Sequence, residues 1–164
     1  MKKLSFLLLV SLLSIVISCK DGSGGKKSSS TTSIMSKYAP LPGHLITEYN
    51  KTATSIDLIS LRKEVNVSMS FDNPQAVQYV ISFIGDEPGN VTNQCKPDGH
   101  IVLFNNGEVV NEADIYFSDG CNAIVWMQNQ KPTNCNSLSN EGVDFYKNFL
   151  KPRATSVDST GTKQ

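Results

Sequence analysis

Four cysteines, two histidines and a tryptophan set among amides have the most chemistry to offer in this chain. Trp126 is the single tryptophan, and Gln128, Asn129, Gln130, Thr133, Asn134 and Asn136 follow it closely. An indole face beside amide donors and acceptors can hold a sugar ring or a peptide edge. Trp126, Gln128, Asn129 and Asn134 are therefore candidate ligand-binding residues. The competing reading puts Trp126 in the core and the amides in turns, where such side chains mimic backbone hydrogen bonds. His100 follows Gly99 at a strand start, and His44 sits in Pro-Gly-His near the domain entrance. Either is the base that a small hydrolase with a Ser/His/Asp arrangement would need, but no G-x-S-x-G turn supplies the nucleophile. No catalytic residue is assigned, and a hydrolase using His100 stands as the alternative. Carboxylate pairs such as Glu112 with Asp114 and Asp86 with Glu87 read as solvated edge and turn residues. No cofactor is expected, because no Gly-rich phosphate loop precedes a helix. No metal is expected either, because the cysteines lack paired C-x-x-C spacing.

The N-terminus carries a different chemistry. Lys2 and Lys3 precede an apolar run over residues 4–17, broken only by Ser5, Ser11 and Ser14. A basic start and a short apolar segment are the layout of a secretory signal. The run falls short of the roughly twenty residues a helix needs to cross a bilayer. It ends in Val16-Ile17-Ser18-Cys19, which resembles the lipobox of bacterial lipoproteins. The resemblance covers the first nineteen residues. It implies that residues 1–18 are removed, that the Cys19 sulfur carries a diacylglycerol, and that the new amino group is acylated. Two or three chains anchor stably where one gives only marginal binding. Lys20, rather than aspartate, follows the cysteine; by similarity to lipoprotein sorting this favours an outer-membrane location in the bacterial envelope. The Lys20-Asp21 pair also resembles the surface-export tags of some lipoproteins.

Cleavage would leave 146 residues with 13 basic and 15 acidic side chains, a balance of −2. That excludes an electrostatic nucleic-acid binder, which needs a basic stripe. It also provides no polybasic attraction to head groups, so the membrane partner is reached through the lipid. Residues 19–37 read as a flexible tether rich in Gly, Ser, Thr and Lys, with a reach of roughly 20–25 Å by coil scaling. Residues 153–164 read as a disordered polar tail. Residues 38–152 suit one small domain. With Cys19 acylated, Cys95, Cys121 and Cys135 remain in an oxidising compartment, so one thiol stays unpaired. Cys121 and Cys135 flank an expected hairpin and are the preferred pair, worth roughly 3 kcal/mol in the chain-entropy model. Pairing of Cys95 with either stays open.

The elements that must position these residues follow from pattern. Val65, Val67, Met69 and Phe71 alternate with Asn66, Ser68 and Ser70, which predicts a half-buried strand over 64–71. Ile56, Leu58, Ile59 and Leu61 add a short strand or a helical turn before it. Asn73 is placed to cap a helix whose first position is Pro74, and Val77, Val80, Ile81 and Ile84 give it one apolar face over 74–84. Residues 86–99 read as a loop carrying Cys95. Strands follow over 101–105, 108–110, 113–117, 123–127 and 132–136, with tight turns at Asn106-Gly107 and Asp119-Gly120. Ser139 caps a last helix containing Val143, Tyr146, Phe149 and Leu150, which Pro152 ends. The expectation is an α+β domain: an antiparallel sheet with two helices packed on one face. The other face is solvated or binds something. A non-enzymatic module that captures an envelope protein, peptide or glycan is the preferred function.

Overall fold

The computed structural model describes residues 38–151. Cys19, the lipobox, the signal segment, the tether and the 153–164 tail lie outside the described residues. The described chain runs α1 (Gly43–Thr52), β1 (Ser55–Ser60), β2 (Ser68–Phe71), α2 (Pro74–Ile81), β3 (Ile84–Pro88), β4 (Gly99–Asn105), β5 (Glu108–Tyr116), β6 (Ala123–Gln128), β7 (Lys131–Leu138) and α3 (Asn140–Phe149). The strands make one seven-stranded sheet in the order β2-β1-β4-β5-β6-β7-β3. Every neighbouring pair is antiparallel. The α+β architecture is as the sequence predicts, with α1 added to the two expected helices.

Local signals explain most boundaries. The Asn73 side chain accepts hydrogen bonds from the N–H groups of Gln75 and Ala76, at 2.9 and 3.3 Å, and Ser139 accepts from Gly142 at 3.0 Å. Asn106 and Gly107 both take positive φ, 51° and 85°, the geometry of a two-residue hairpin turn. α2 stops at Ile81 rather than at residue 84, and Ile84 opens edge strand β3 instead. β2 starts only at Ser68, because residues 62–65 turn first, with Val65 N–H donating to the Arg62 carbonyl.

Alternation along the strands separates two apolar clusters. Ile56, Leu58, Ile101, Leu103, Ile115, Ile124, Trp126 and Leu138 face a core that Val77, Val80 and Ile81 of α2 and Tyr146 and Leu150 at α3 complete. Gly142 lies in the first turn of α3, where an added Cβ would stand 2.6 Å from that of Phe83; only glycine lets the helix descend onto this ring. On the opposite face Val91, Tyr116, Cys121, Ala123, Val125 and Cys135 form a second cluster, under the segment that leads from β3 to β4. That face is therefore covered over β6 and β7 and open over β1 and β4.

The disulfide joins Cys95 to Cys121, with Cα atoms 6.1 Å apart, and Cys135 is a free, buried thiol. The expected Cys121–Cys135 pair does not form. Cys135 lies opposite Val125 within the β6–β7 ladder, whereas Cys121 precedes β6, in the turn where Cys95 meets it. Closing the loop between residues 95 and 121 constrains the unfolded chain by about 3.5 kcal/mol in the same entropy model. Burial pushes the Cys135 thiol pKa up, against the pull of a Gly89 backbone hydrogen bond.

One buried amide stitches these parts together. Asn136 of β7 is fully buried. Its Oδ1 accepts from the Trp126 indole at 2.9 Å and from Leu41 N–H at 2.8 Å. Its Nδ2 donates to the Gly85 carbonyl at 2.8 Å and to the Leu41 carbonyl at 3.5 Å. Asn136→Ala strands an indole N–H and backbone groups away from water, at about 1–3 kcal/mol for each group left unsatisfied. A loss of about 3–4 kcal/mol is expected in urea unfolding; a loss below about 1 kcal/mol would show that water replaces the amide.

Candidate functional site

A cleft of about 660 Å³ opens at one end of the sheet, between α1 and the ends of β5, β6 and β7. That volume is in the range that holds small ligands. One wall is Leu41, Leu45 and Tyr49; the facing wall is Val109 to Glu112 of β5, with Met127, Gln128, Asn129, Thr133 and Asn134.

Two β-bulges build the second wall. The β4–β5 register passes from Leu103↔Asn111 to Phe104↔Val109, leaving Val110 as the extra residue. The β6–β7 register passes from Trp126↔Asn134 to Met127↔Pro132, leaving Thr133 extra. A bulge bends its strand and re-aims its side chains, and here both extra residues line the cleft. The turn beyond the second bulge has two residues, and Asn129 and Gln130 both hold positive φ, 51° and 62°.

The first wall is positioned by hydrogen bonds. Asn111 Nδ2 donates to the Tyr49 hydroxyl at 3.0 Å. Asn134 Nδ2 donates to the carbonyls of Ala39 and Pro40, at 3.2 and 3.3 Å, and so secures the segment that leads into α1. The Tyr49 ring lies 5.9 Å from the Trp126 ring, centroid to centroid. Gln128 and Asn129 are exposed at the rim.

Three of the four expected ligand-binding residues, Gln128, Asn129 and Asn134, thus line one cleft. Trp126 does not: it has no exposed surface, packs under Tyr49 and spends its N–H on Asn136. The parity of β6 was unreadable because Ala123, Ile124, Val125 and Trp126 are all buried, half on each face. Tyr49, Asn111, Val109 and Val110 escaped the sequence reading. The aromatic wall came from α1, which has no side-chain cap and no fully buried residue.

His100 lies on the other, open face. Its Nδ1 stands 2.8 Å from Asp114 Oδ1 and its Nε2 3.7 Å from Glu112 Oε2. The β4–β5 register sets the contact, since His100 is directly opposite Asp114. Only the Nδ1 contact is a hydrogen bond; at 3.7 Å the Glu112 carboxylate acts on Nε2 through charge alone. The Asp114 hydrogen bond raises the His100 pKa from 6.5; partial burial opposes this, and the charges of Asp114 and Glu112 add to it. His44 is exposed at the start of α1. Among the described residues no group of His, Cys, Asp and Glu could hold a metal ion.

No family model matches the chain, and no curated protein or solved structure matches it.

The His100 pairing makes stability depend on pH. A folded-state pKa raised above 6.5 gives a contribution that is complete below that value and lost as pH rises through the folded one. His100→Gln should therefore flatten the difference in urea midpoint between about pH 6 and pH 8, with the parent gaining more at the acidic end. An unchanged slope in the variant would remove His100 as its source.

Proposed function

We propose that this chain is a lipid-anchored envelope lipoprotein whose folded domain is a non-enzymatic binding module, with the cleft beside α1 as its ligand site. The carrying observation is the composition of that cleft. It combines the half-buried Tyr49, the apolar Val109 and Val110, exposed by 59% and 38%, and the amides of Asn111, Gln128, Asn129 and Asn134 around a single carboxylate, Glu112. Apolar surface beside several amides and little charge suits an uncharged polar ligand, and a glycan chain best: sugar rings offer an apolar face to Tyr49 and the valines and hydroxyls to the amides.

The exposed rim allows a test that spares the fold. An array of neutral oligosaccharides and unmodified peptides is probed with the labelled full chain and with Gln128→Ala/Val110→Ser. Oligosaccharides should be retained, and the double variant should bind about tenfold less, one hydrogen bond and a buried methyl being worth roughly 1–2 kcal/mol together. Retention of peptides alone, or binding indifferent to both changes, overturns the glycan reading.

The anchoring rests on Val16-Ile17-Ser18-Cys19 behind the short apolar run. Among the described residues no helix is long and apolar enough to cross a membrane. In a bacterial host fed labelled palmitate, the parent should incorporate label and Cys19→Ala should not. Equal labelling of the two would sink the lipoprotein reading.

A further inference from the structure

The described domain is acidic, with thirteen Asp and Glu against seven Lys and Arg over residues 38–151. Four of those seven cations, Arg62, Lys63, Lys96 and Lys147, nonetheless gather at one place. Two adjoining clefts lie there, about 530 and 430 Å³, and share Arg62, Ser118 and Asp119 between them. Arg62 and Lys147 flank the first; Arg62, Lys63 and Lys96 flank the second. Strand direction puts this pole at the opposite end of the sheet from the amide-lined cleft. β5 begins beside that cleft at Val109 to Glu112 and ends at Tyr116, just before Ser118 and Asp119.

The framework of the pole is held from within. Asp98 is buried, and its carboxylate accepts from Phe117 N–H at 2.8 Å, Ser118 N–H at 2.9 Å and the Ser118 hydroxyl at 2.6 Å. It is spent on the turn and does not face the clefts as a free charge. The Cys95–Cys121 disulfide ties the segment bearing Lys96 to the same turn. Arg62 pairs with Glu64 at 3.3 Å. Lys63, Lys96 and Lys147 have no carboxylate partner among the described residues. Asn122 Oδ1 accepts from Leu138 N–H, so its NH₂ group is what the amide offers the first cleft. Asn140, the first residue of α3, brings the positive end of that helix to the same cleft.

We propose that this pole binds phosphate groups, Arg62 reaching into both clefts with Lys147 on one side and Lys63 and Lys96 on the other. Three unpaired lysines around Arg62 outnumber the Glu64 and Asp119 carboxylates that line the same clefts; such a concentration attracts an anion to an otherwise acidic domain, and a phosphate can take the guanidinium from Glu64 through two parallel hydrogen bonds. Two sources share this chemistry: phospholipid head groups and soluble phosphate esters. The site is independent of the glycan reading.

The test uses the full chain with inorganic tripolyphosphate, and separately with vesicles of phosphatidylglycerol or phosphatidylcholine. Arg62→Gln/Lys147→Gln is compared with the parent and with Lys51→Gln/Lys131→Gln, which removes two cations outside the pole. All three share one N-terminus, so its membrane affinity cancels. Tripolyphosphate should shift the backbone amide resonances of residues 118–122, with affinity about tenfold weaker in the pole variant and unchanged in the control. Weaker sedimentation of the pole variant with phosphatidylglycerol vesicles as well identifies lipid head groups as a source; an effect on tripolyphosphate alone identifies soluble phosphate esters. If the pole variant and the control lose equal affinity for both probes, the proposal is overturned.

Discussion

The Asn136 side chain is the constraint on which the rest of the domain depends. A primary amide buried in a strand is costly unless its donors and acceptors are met, and four hydrogen bonds meet them here. Its partners belong to three separate parts of the chain: the entrance at Leu41, the edge strand at Gly85 and the indole of β6. A leucine at this position would pack, but it would specify none of them. Satisfied buried polar groups select one arrangement among many apolar ones of similar energy. The contrast within the same core is Tyr146, whose hydroxyl is equally buried and has no hydrogen-bond partner among the described residues. That group adds bulk and ring contacts with Phe83 and Phe117, but no specification.

This constraint passes directly into the amide-lined cleft. α1 has no fully buried residue and no side-chain cap, so its own sequence holds it weakly. It is held instead at its base, where Leu41 bonds to Asn136 and the carbonyls of Ala39 and Pro40 receive the Asn134 amide, and along its side through Tyr49. Elements with few buried contacts open at the lowest free-energy cost. Of the two walls of the cleft, the one contributed by α1 is thus the more able to adjust. The opposite wall, set by two bulges in paired strands, is the stiffer template.

Legibility in the sequence followed the range of the interaction. Asn73-Pro74, Asn106-Gly107 and Ser139 act within a few residues, and each ends or begins an element where its chemistry says it should. β3 was unreadable because Gly85, Asp86, Glu87 and Pro88 are poor strand formers that an edge strand tolerates, its outer backbone facing water. α1 was missed for a related reason: Gly43, two threonines and an asparagine give it little intrinsic propensity. The disulfide failed on geometry. Adjacency of Cys121 and Cys135 in sequence suggested a staple across a hairpin, whereas Cys121 precedes the β6–β7 ladder and a long-range fold-back delivers Cys95 to it. The cleft was half legible: turn amides beside a tryptophan marked Gln128, Asn129 and Asn134, but a strand buried on both faces hid that Trp126 belongs beneath the site and Tyr49 in it.

Net charge is an average over the whole surface. A balance of −2 over the chain without its first eighteen residues suggests a surface indifferent to anions, and as an average it is right. Averages lose the moment of the distribution. β5, nine residues long, spans about 30 Å at strand rise, and that length separates the amide-lined cleft from Arg62, Lys96 and Lys147. Such a separation exceeds the roughly 8 Å over which salt screens charges in physiological solution. The positive charge at one end therefore acts independently of the hydrogen-bonding groups and apolar surface at the other.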